Sequence, residues 1–395
     1  MREGSLFEMD FMAHLDEIRK SVKGARILVI GGAGSIGSAT VKELTGFSPG
    51  ALHVVDVSEN NLAELVRDLR GSPGHLDIRD FQTLPLDYGS PIFRRFLQDH
   101  KPYDIVLNFA AIKHVRSEKD LSSLLQMLDT NVVKQALLLR WLSNEGGVHR
   151  YFSVSTDKAA NPVNLMGATK RAMEHVIFSA AGGPAGIRCV TSARFANVAF
   201  SDGSLLHGWQ QRLAKRQPIA VPMATRRYFI SLREAGQICV LAALCGENGR
   251  IVIPKLDERR DLRDLADVAR EYLAAEGFRA REYEEETLAK SRVQEDIKDG
   301  HYPLLLTPLD TDGEKPFEEF IGEGEITEDI GMIFLRAVRY VAAPPDVLAN
   351  FLEMAKAAVS NPYSQTSKED IIAALKTVIP QFRHRATGKS LDARL

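Results

Sequence analysis

The stretch RILVIGGAGSIGSATVKEL, residues 26–44, decides the fold. Ile27 to Ile30 form the apolar run of a strand buried on both faces. Gly31, Gly34 and Gly37 follow as a turn that encloses Ser35 and Ile36, and Ala39, Val41 and Leu44 open a helical spacing. Glycines let a backbone approach a pyrophosphate, and the N-terminus of the helix behind them favours its negative charge. A glycine-rich motif alone says little, but this one has the strand before it and the helix after it. A second strand, ALHVVDV, reaches Asp56 about 20 residues past the last glycine, where such a site needs a carboxylate for the ribose hydroxyls. A carboxylate there repels a 2′-phosphate, and Ser58, Glu59 and Asn60 supply no base to welcome one. The expected cofactor is NAD rather than NADP.

The same alternation continues. FQTLPLDY, residues 81–88, reads as a strand leading to Asp87 and Tyr88, candidates for the adenine edge. PIFRRFLQDH reads as a helix, and YDIVLNFAAIKHV as a strand running into a loop whose Ala110 and Ala111 are small enough for a cofactor to pass close. LLQMLDTNVVKQALLLRWL is a long helical pattern carrying Asn131, and RYFSVSTDKAA is the next strand. Strand and helix periods in this order predict an α/β fold with a doubly wound parallel sheet, a Rossmann arrangement. Ligands bind at the carboxyl ends of such strands, where Ala110–Lys113 and Ser155–Lys158 fall.

Composition agrees with a globular chain able to bury a large core: 395 residues, 45% hydrophobic and 26% charged. A net charge of −2 offers no basic field for nucleic acid. Three widely spaced cysteines, Cys189, Cys239 and Cys245, form no CxxC pair, so no metal or disulfide is expected. The first 25 residues have no long apolar run, which predicts neither a signal peptide nor a membrane span and points to the cytoplasm. Phe7, Phe11, Leu15 and Ile18 recur at helical spacing there.

The spacing of Gly31–Gly37, Asp56, NFAAIKHV, DTNV, STDKAANPVNLMGATKR and RFANV resembles the extended short-chain dehydrogenase/reductase superfamily. Within it, KHV after the alanine pair, and TDK followed by NP and MGATK, resemble nucleotide-sugar 4,6-dehydratases of bacterial polysaccharide and glycan biosynthesis. The similarity runs from about residue 25 to about residue 255, and YPLLLTPLDTDGEKPFEEFIGEGE is similar to the UDP-N-acetylglucosamine 4,6-dehydratase branch. The resemblance implies a UDP-sugar substrate and a redox-neutral cycle. A hydride leaves carbon 4 for NAD, water is lost across carbons 5 and 6, and the hydride returns to carbon 6. A homo-oligomer with no membrane or nucleic-acid partner is expected, the extra C-terminal helices offering a subunit interface.

Thr156, Asp157 and Lys158 match the family's elimination triad. By that match Lys158 takes the carbon-5 proton, Asp157 protonates the carbon-6 hydroxyl and Thr156 holds the carbon-4 oxygen. Their structural alternative is a loop salt bridge with a threonine turn cap. Lys170 matches the lysine that grips the nicotinamide ribose, but the tyrosine expected four residues before it is Met166, and a thioether carries no proton. None of the nine tyrosines has a lysine four residues on, so the register has not slipped. The departure looks like a subfamily trait, with Asp157, or a water it orders with Thr156, taking the carbon-4 hydroxyl proton. The competing classes are an epimerase, acting at carbon 4 or at carbon 5 alongside dehydration, and a non-catalytic NAD-binding regulator that has lost its tyrosine.

Beyond RFANVAFSDGS the pattern becomes mixed. Asn197 and Ser204 are candidate sugar or phosphate contacts, Arg226 and Arg227 candidate diphosphate forks, and Lys113 and His114 candidate loop contacts to cofactor or substrate. The expected organisation is an N-terminal helix over 1–24, an NAD-binding domain over 25–200, a smaller mixed substrate region over 201–310 with some return to the core, and a helical C-terminal extension over 311–395. EDIGMIFLRAVRYV, PPDVLANFLEMAKAAV and SKEDIIAALKTVI all show helical apolar spacing. DTDGEKPFEEF reads as an acidic turn of no assigned role, and RHRATGKSLDARL as a basic tail.

Overall fold

A computed structural model describes residues 4–72, 78–181, 187–309 and 315–384. The basic tail from 385 and the 310–314 part of the acidic turn lie outside them. The chain forms two compact units, residues 1–195, 232–255 and 319–384 in the first and 196–231 and 256–318 in the second.

Strands β1 (Arg26–Ile30), β2 (Ala51–Asp56), β3 (Asp80–Pro85), β4 (Ile105–Asn108), β5 (Arg150–Val154) and β6 (Cys189–Ala193) build the sheet of the first unit. They lie in the order β3-β2-β1-β4-β5-β6, all parallel. This is the doubly wound α/β fold expected. β1 and β4 are neighbours but are far apart in sequence, so the strand order reverses between them, the point at whose carboxyl side such sheets bind ligands. Ile27 to Ile30 are buried, as central parallel strands require.

The second unit carries β7 (Asn197–Val198), β8 (Ile219–Pro222), β9 (Arg226–Ile230), β11 (Leu262–Asp264), β12 (Arg279–Tyr283) and β13 (His301–Thr307). β10 (Arg250–Pro254) returns to the first unit and extends its sheet beside β6. In the second unit, β11-β9-β7 form one small sheet and β12-β13-β8 another, the latter wholly parallel. Trp209, Leu265, Leu273 and Leu304 lie in the core of this unit.

The last 80 residues correct the expected extension. β14 (Thr327–Glu328) and β15 (Leu335–Arg339) join the large sheet, with β15 antiparallel to β10. Residues 319–384 thus belong to the first unit rather than to a separate helical piece. EDIGMIFLRAVRYV had helical spacing, yet Gly331 takes a φ of 74° inside it, and the open edge of β10 offers unpaired backbone groups that a strand satisfies. The two helices after it are as expected, Pro345–Ser360 and Lys368–Val378. They pack on the helices Leu121–Leu128 and Leu165–Ser179, burying Phe351, Ile371 and Leu375 within the chain itself.

The N-terminal segment forms two short helices, Glu8–Ala13 and Leu15–Val22, with Phe7, Phe11 and Ile18 buried. Its buried Asp10 accepts hydrogen bonds from the backbone N–H groups of Ile333 (2.6 Å) and Phe334 (2.7 Å). Among the described residues, no helix is long and apolar enough to cross a membrane.

Candidate active site

The glycine turn leaves β1 through Gly31, whose φ of 68° only glycine adopts without strain. A side chain there would lie 2.5 Å from the backbone nitrogen of Ala110, and one at Gly37 would lie 2.3 Å from the carbonyl of Gly31. Both glycines are required by the protein's own packing. Gly34 differs, because a Cβ there would meet nothing closer than 3.5 Å. It caps the helix Ser35–Thr45, so the space kept open lies at a helix N-terminus, where a phosphate fits. Asp56 ends β2 and holds the turn, accepting from the Ala33 N–H at 3.1 Å and the Ser58 N–H at 3.0 Å. These residues fit a dinucleotide.

Asn131 lies in one turn of π-helix between two α-helices, a distortion common at functional sites. Its amide donates to the Ile112 carbonyl (3.0 Å) and to Thr169 Oγ1 (3.2 Å), and accepts from the Ile112 N–H (2.9 Å). Asn131 therefore ties the Ala110–Lys113 loop to the helix that bears Lys170. Lys113 and His114 stand exposed on that loop. The adenine-edge expectation for Tyr88 is corrected: the ring is buried and its hydroxyl donates to the Thr130 carbonyl. Burial raises its pKa well above 10. Asp87 remains partly exposed, paired with Lys134 at 2.6 Å.

The second half of the site begins where β5 ends. Thr156 Oγ1 donates to Asp157 Oδ1 at 2.8 Å, and the same oxygen accepts from the Lys158 N–H at 2.9 Å and its ammonium at 3.2 Å. Thr156 also caps the single turn of 3-10 helix over Asp157–Ala159. Asp157 is 3% exposed. These are contacts a purely structural turn would make too. Three donors converge on Oδ1, however, and Oδ2 meets none among the described residues, which leaves one carboxylate oxygen to face a substrate.

Asn164 caps the next helix, Leu165–Ser179, by accepting from the Gly167 N–H at 2.8 Å. Met166, in its first turn, is buried, and its N–H donates to Glu118 Oε1 at 2.8 Å. Lys170 is buried one turn on. Its ammonium donates to the Val154 carbonyl at 2.6 Å and to Met173 Sδ at 3.1 Å. Burial lowers its pKa from 10.5 to about 8, with the charge of Glu174 acting in the opposite direction. Thr156, Asp157, Lys158, Met166 and Lys170 are thus all held at the carboxyl end of β5.

The other candidates lie in the second unit. Asn197 begins β7, and its amide approaches the Tyr228 carbonyl at 3.5 Å. Ser204 caps the helix Leu205–Ala214, accepting from the His207 N–H at 3.3 Å. Arg227 donates to three carbonyls, of Arg226, Pro316 and Lys315, at 2.9 to 3.1 Å. Arg226 lies over the Phe317 ring at 5.6 Å, with Glu258 3.8 Å away, and is the better-placed guanidinium for an anion. Sequence reasoning missed Glu118, Glu174, Arg194 and Glu325. Glu174 could have been found from its position four residues after Lys170, on the same helix face. Glu325 carries no local signal.

The polysaccharide biosynthesis protein family profile matches residues 27–331. An uncharacterized membrane protein of Methanocaldococcus jannaschii is 31% identical over 317 residues, covering 78% of this chain and 84% of the relative. A UDP-N-acetylglucosamine 4,6-dehydratase (inverting) of Campylobacter jejuni is 28% identical over 255 residues, covering 61% and 69%. Two longer curated relatives are spanned over 41% of their length. Among solved structures, Pen from Bacillus thuringiensis superposes with a TM-score of 0.63 at 21% identity, over 80% of this chain and 87% of that one. The NAD complex of dTDP-glucose 4,6-dehydratase from Bacillus anthracis gives a TM-score of 0.54 at 14% identity, over 76% and 88%. With its glycine turn, its strand order and a profile match that spans both units, this chain belongs to the polysaccharide biosynthesis protein family of extended short-chain dehydrogenases/reductases.

Proposed function

We propose that this protein is an NAD-dependent nucleotide-sugar 4,6-dehydratase, with UDP-N-acetylglucosamine as substrate and a UDP 4-keto-6-deoxy sugar as product. The observation that carries the reading is the Thr156–Asp157–Lys158 turn, held at the end of β5 with one oxygen of Asp157 unengaged, beside a buried Lys170. The Campylobacter jejuni relative carries this activity in its name, which supports the choice.

The glycine turn and Asp56 would hold NAD, which when bound accepts the carbon-4 hydride and returns it to carbon 6. Asp157 Oδ2 takes the carbon-4 hydroxyl proton during oxidation, in place of the missing tyrosine. Thr156 orients the carbon-4 oxygen. The ketone acidifies carbon 5, and Lys158, as a neutral amine, removes that proton. Asp157 then gives its proton to the departing carbon-6 hydroxyl, and water is lost. Lys158 returns a proton to carbon 5 as the hydride arrives at carbon 6, so each group ends as it began. Lys170, as an ammonium, would grip the nicotinamide ribose. A plain carbon-4 epimerase has no use for an acid and a base at carbons 5 and 6.

The test is proton NMR of the purified protein with UDP-N-acetylglucosamine in deuterated water. A new 6-methyl signal with deuterium at carbon 5 is expected. Asp157→Asn should slow its appearance by ~10²–10⁴-fold, the usual worth of general acid–base catalysis. An Asp157→Asn protein working at the wild-type rate would remove the assignment. NAD binding without turnover of any sugar nucleotide would favour a regulator.

A further inference from the structure

Behind the Thr156–Lys158 turn lies a buried cluster of charges that the proposed chemistry does not use. Arg194, just past the end of β6, is fully buried. Its Nε and Nη2 donate to the two oxygens of Glu174 at 2.7 and 2.6 Å. Its Nη1 and Nη2 donate to Glu325 at 2.6 and 2.9 Å, and Nη1 also reaches the Phe320 carbonyl at 3.1 Å. Arg171 adds a second guanidinium, 3.1 Å from Glu174 and in contact with Glu325. Two cations and two anions balance, and the forked geometry satisfies them, which is how such a group survives burial.

The cluster touches the candidate catalytic residues on two sides. Glu174 accepts from Ser155 Oγ at 2.7 Å, directly before the turn, and lies one helical turn beyond Lys170. Glu325 ends a strap, residues 319–325, that runs along the turn itself. Asn161 donates to Glu319 Oε2 at 2.9 Å and accepts from the Glu323 N–H at 2.9 Å. At Gly322 an added Cβ would lie 2.5 Å from the Ala160 carbonyl, so the strap lies against the turn, backbone to backbone.

We propose that Glu325 is a positioning residue: clamped by Arg194, it fixes the Glu319–Glu325 strap against the Thr156–Asn161 turn and thereby sets where Asp157 and Lys158 stand. A single turn of 3-10 helix has weak hydrogen-bond geometry of its own. β5 fastens it at one end, and the helix Leu165–Ser179 packs on it where a Cβ at Gly167 would lie 2.4 Å from the Lys158 carbonyl. The strap holds its far end at Ala160 and Asn161, and a displacement of about 1 Å in a catalytic group costs on the order of 10²-fold in rate. Burial alone would raise the Glu325 carboxyl, but hydrogen bonds and charge from Arg194 outweigh it and hold the pKa at about 2. The clamp therefore stays ionised at any working pH. The catalytic half of this inference rests on the dehydratase reading; the mechanical half does not.

The test uses the full chain and three variants. Glu325→Gln removes the charge and keeps the shape. Gly322→Ala pushes the strap from Ala160 and brings a methyl to 3.1 Å from the Glu325 carboxylate, so it disturbs strap and clamp together without removing a charge, and it carries the test if Glu325→Gln fails to fold. Amide hydrogen exchange is followed over residues 155–161, with residues 31–45 as internal control, and kcat and KM are measured by the NMR assay. Faster exchange over 155–161 with 31–45 unchanged is expected. So is a fall in kcat of about 10²-fold at little-changed KM, partly restored by Glu325→Asp. Unaltered exchange over 155–161, or a wild-type kcat, in a folded variant would overturn the proposal. If the wild-type protein turns over no UDP-N-acetylglucosamine, the dehydratase reading fails, and the exchange data still decide whether the strap holds the turn.

Discussion

At the end of β1 the chain turns on its own backbone. Gly31 and Gly37 fit against each other, and Asp56 closes the turn from the next strand. At the end of β5 the chain turns on side chains drawn from far away. Ser155 leans on Glu174, Glu174 on Arg194, and Arg194 on Glu325, which is 131 residues further along. Met166 is capped by Glu118, and the carbonyl of Glu118 accepts from Lys368 at 2.7 Å. In the proposed reading the first loop leaves room for a phosphate at Gly34, and the second aims an acid and a base, which needs support from several directions. The contrast teaches that the two halves of one site should fail in different ways.

The hardest way to break the comparison is at Arg194. Arg194→Met fills similar space but leaves Glu174 and Glu325 sharing Arg171 as their one guanidinium partner, and removing one partner of a buried ion pair costs about 3–5 kcal/mol. Urea unfolding should show that loss in the midpoint without a change in slope. A variant as stable as wild type would mean that the cluster is better solvated than its burial indicates.

A smaller effect separates the glycines of the first loop. Gly31→Ala forces a positive φ on alanine and a clash with Ala110, which should cost about 1–3 kcal/mol, the usual range for overpacking. Gly34→Ala meets no close atom, so its stability loss should stay under about 1 kcal/mol, a cap effect, while NAD affinity falls sharply. Thermal midpoints and NAD titration of both variants check this. Equal loss of stability in the two would contradict the assignment of Gly34 to the cofactor.

The mildest test is pH. Lys170 has a folded pKa of about 8, below its ordinary 10.5. Between these values the unfolded chain binds more protons than the folded one, so this residue's contribution to stability increases as pH rises through that window and is unfavourable in full below it. Its proposed use as a cation runs the other way, so kcat should fall as pH passes about 8. Parallel melting curves and rates from pH 7 to 10 should diverge in the wild type. Lys170→Met should abolish the stability trend, and a trend that persists would assign it to another group.

Much of the proposed site was legible in the sequence. Gly31 to Gly37, Asp56, the Thr156–Lys158 triad and the Met166–Lys170 spacing each sit within a few residues of a recognisable strand or helix end. Local pattern failed where a neighbour decided the outcome. Leu335–Arg339 has helical spacing but pairs with β10, because an open sheet edge rewards a strand more than spacing rewards a helix. Tyr88 follows a strand as an adenine contact would, yet packing turns its ring into the core. Arg227, which looked equal to its neighbour Arg226, has its guanidinium engaged by backbone carbonyls.

The sequence by itself determined the parallel sheet and the glycine turn at its first strand, and it carries the groups to which the proposed reaction gives the proton transfers. These depend on periodicity and on fixed spacing along one strand–turn–helix unit, which the chain carries locally. Only the tertiary structure decided which oxygen of Asp157 stays unengaged, how Lys170 comes to lie beneath Val154, and that a strap ending at Glu325 braces the turn. Burial and the pairing of charges depend on residues brought together from across the chain, and no local pattern encodes which of them will meet.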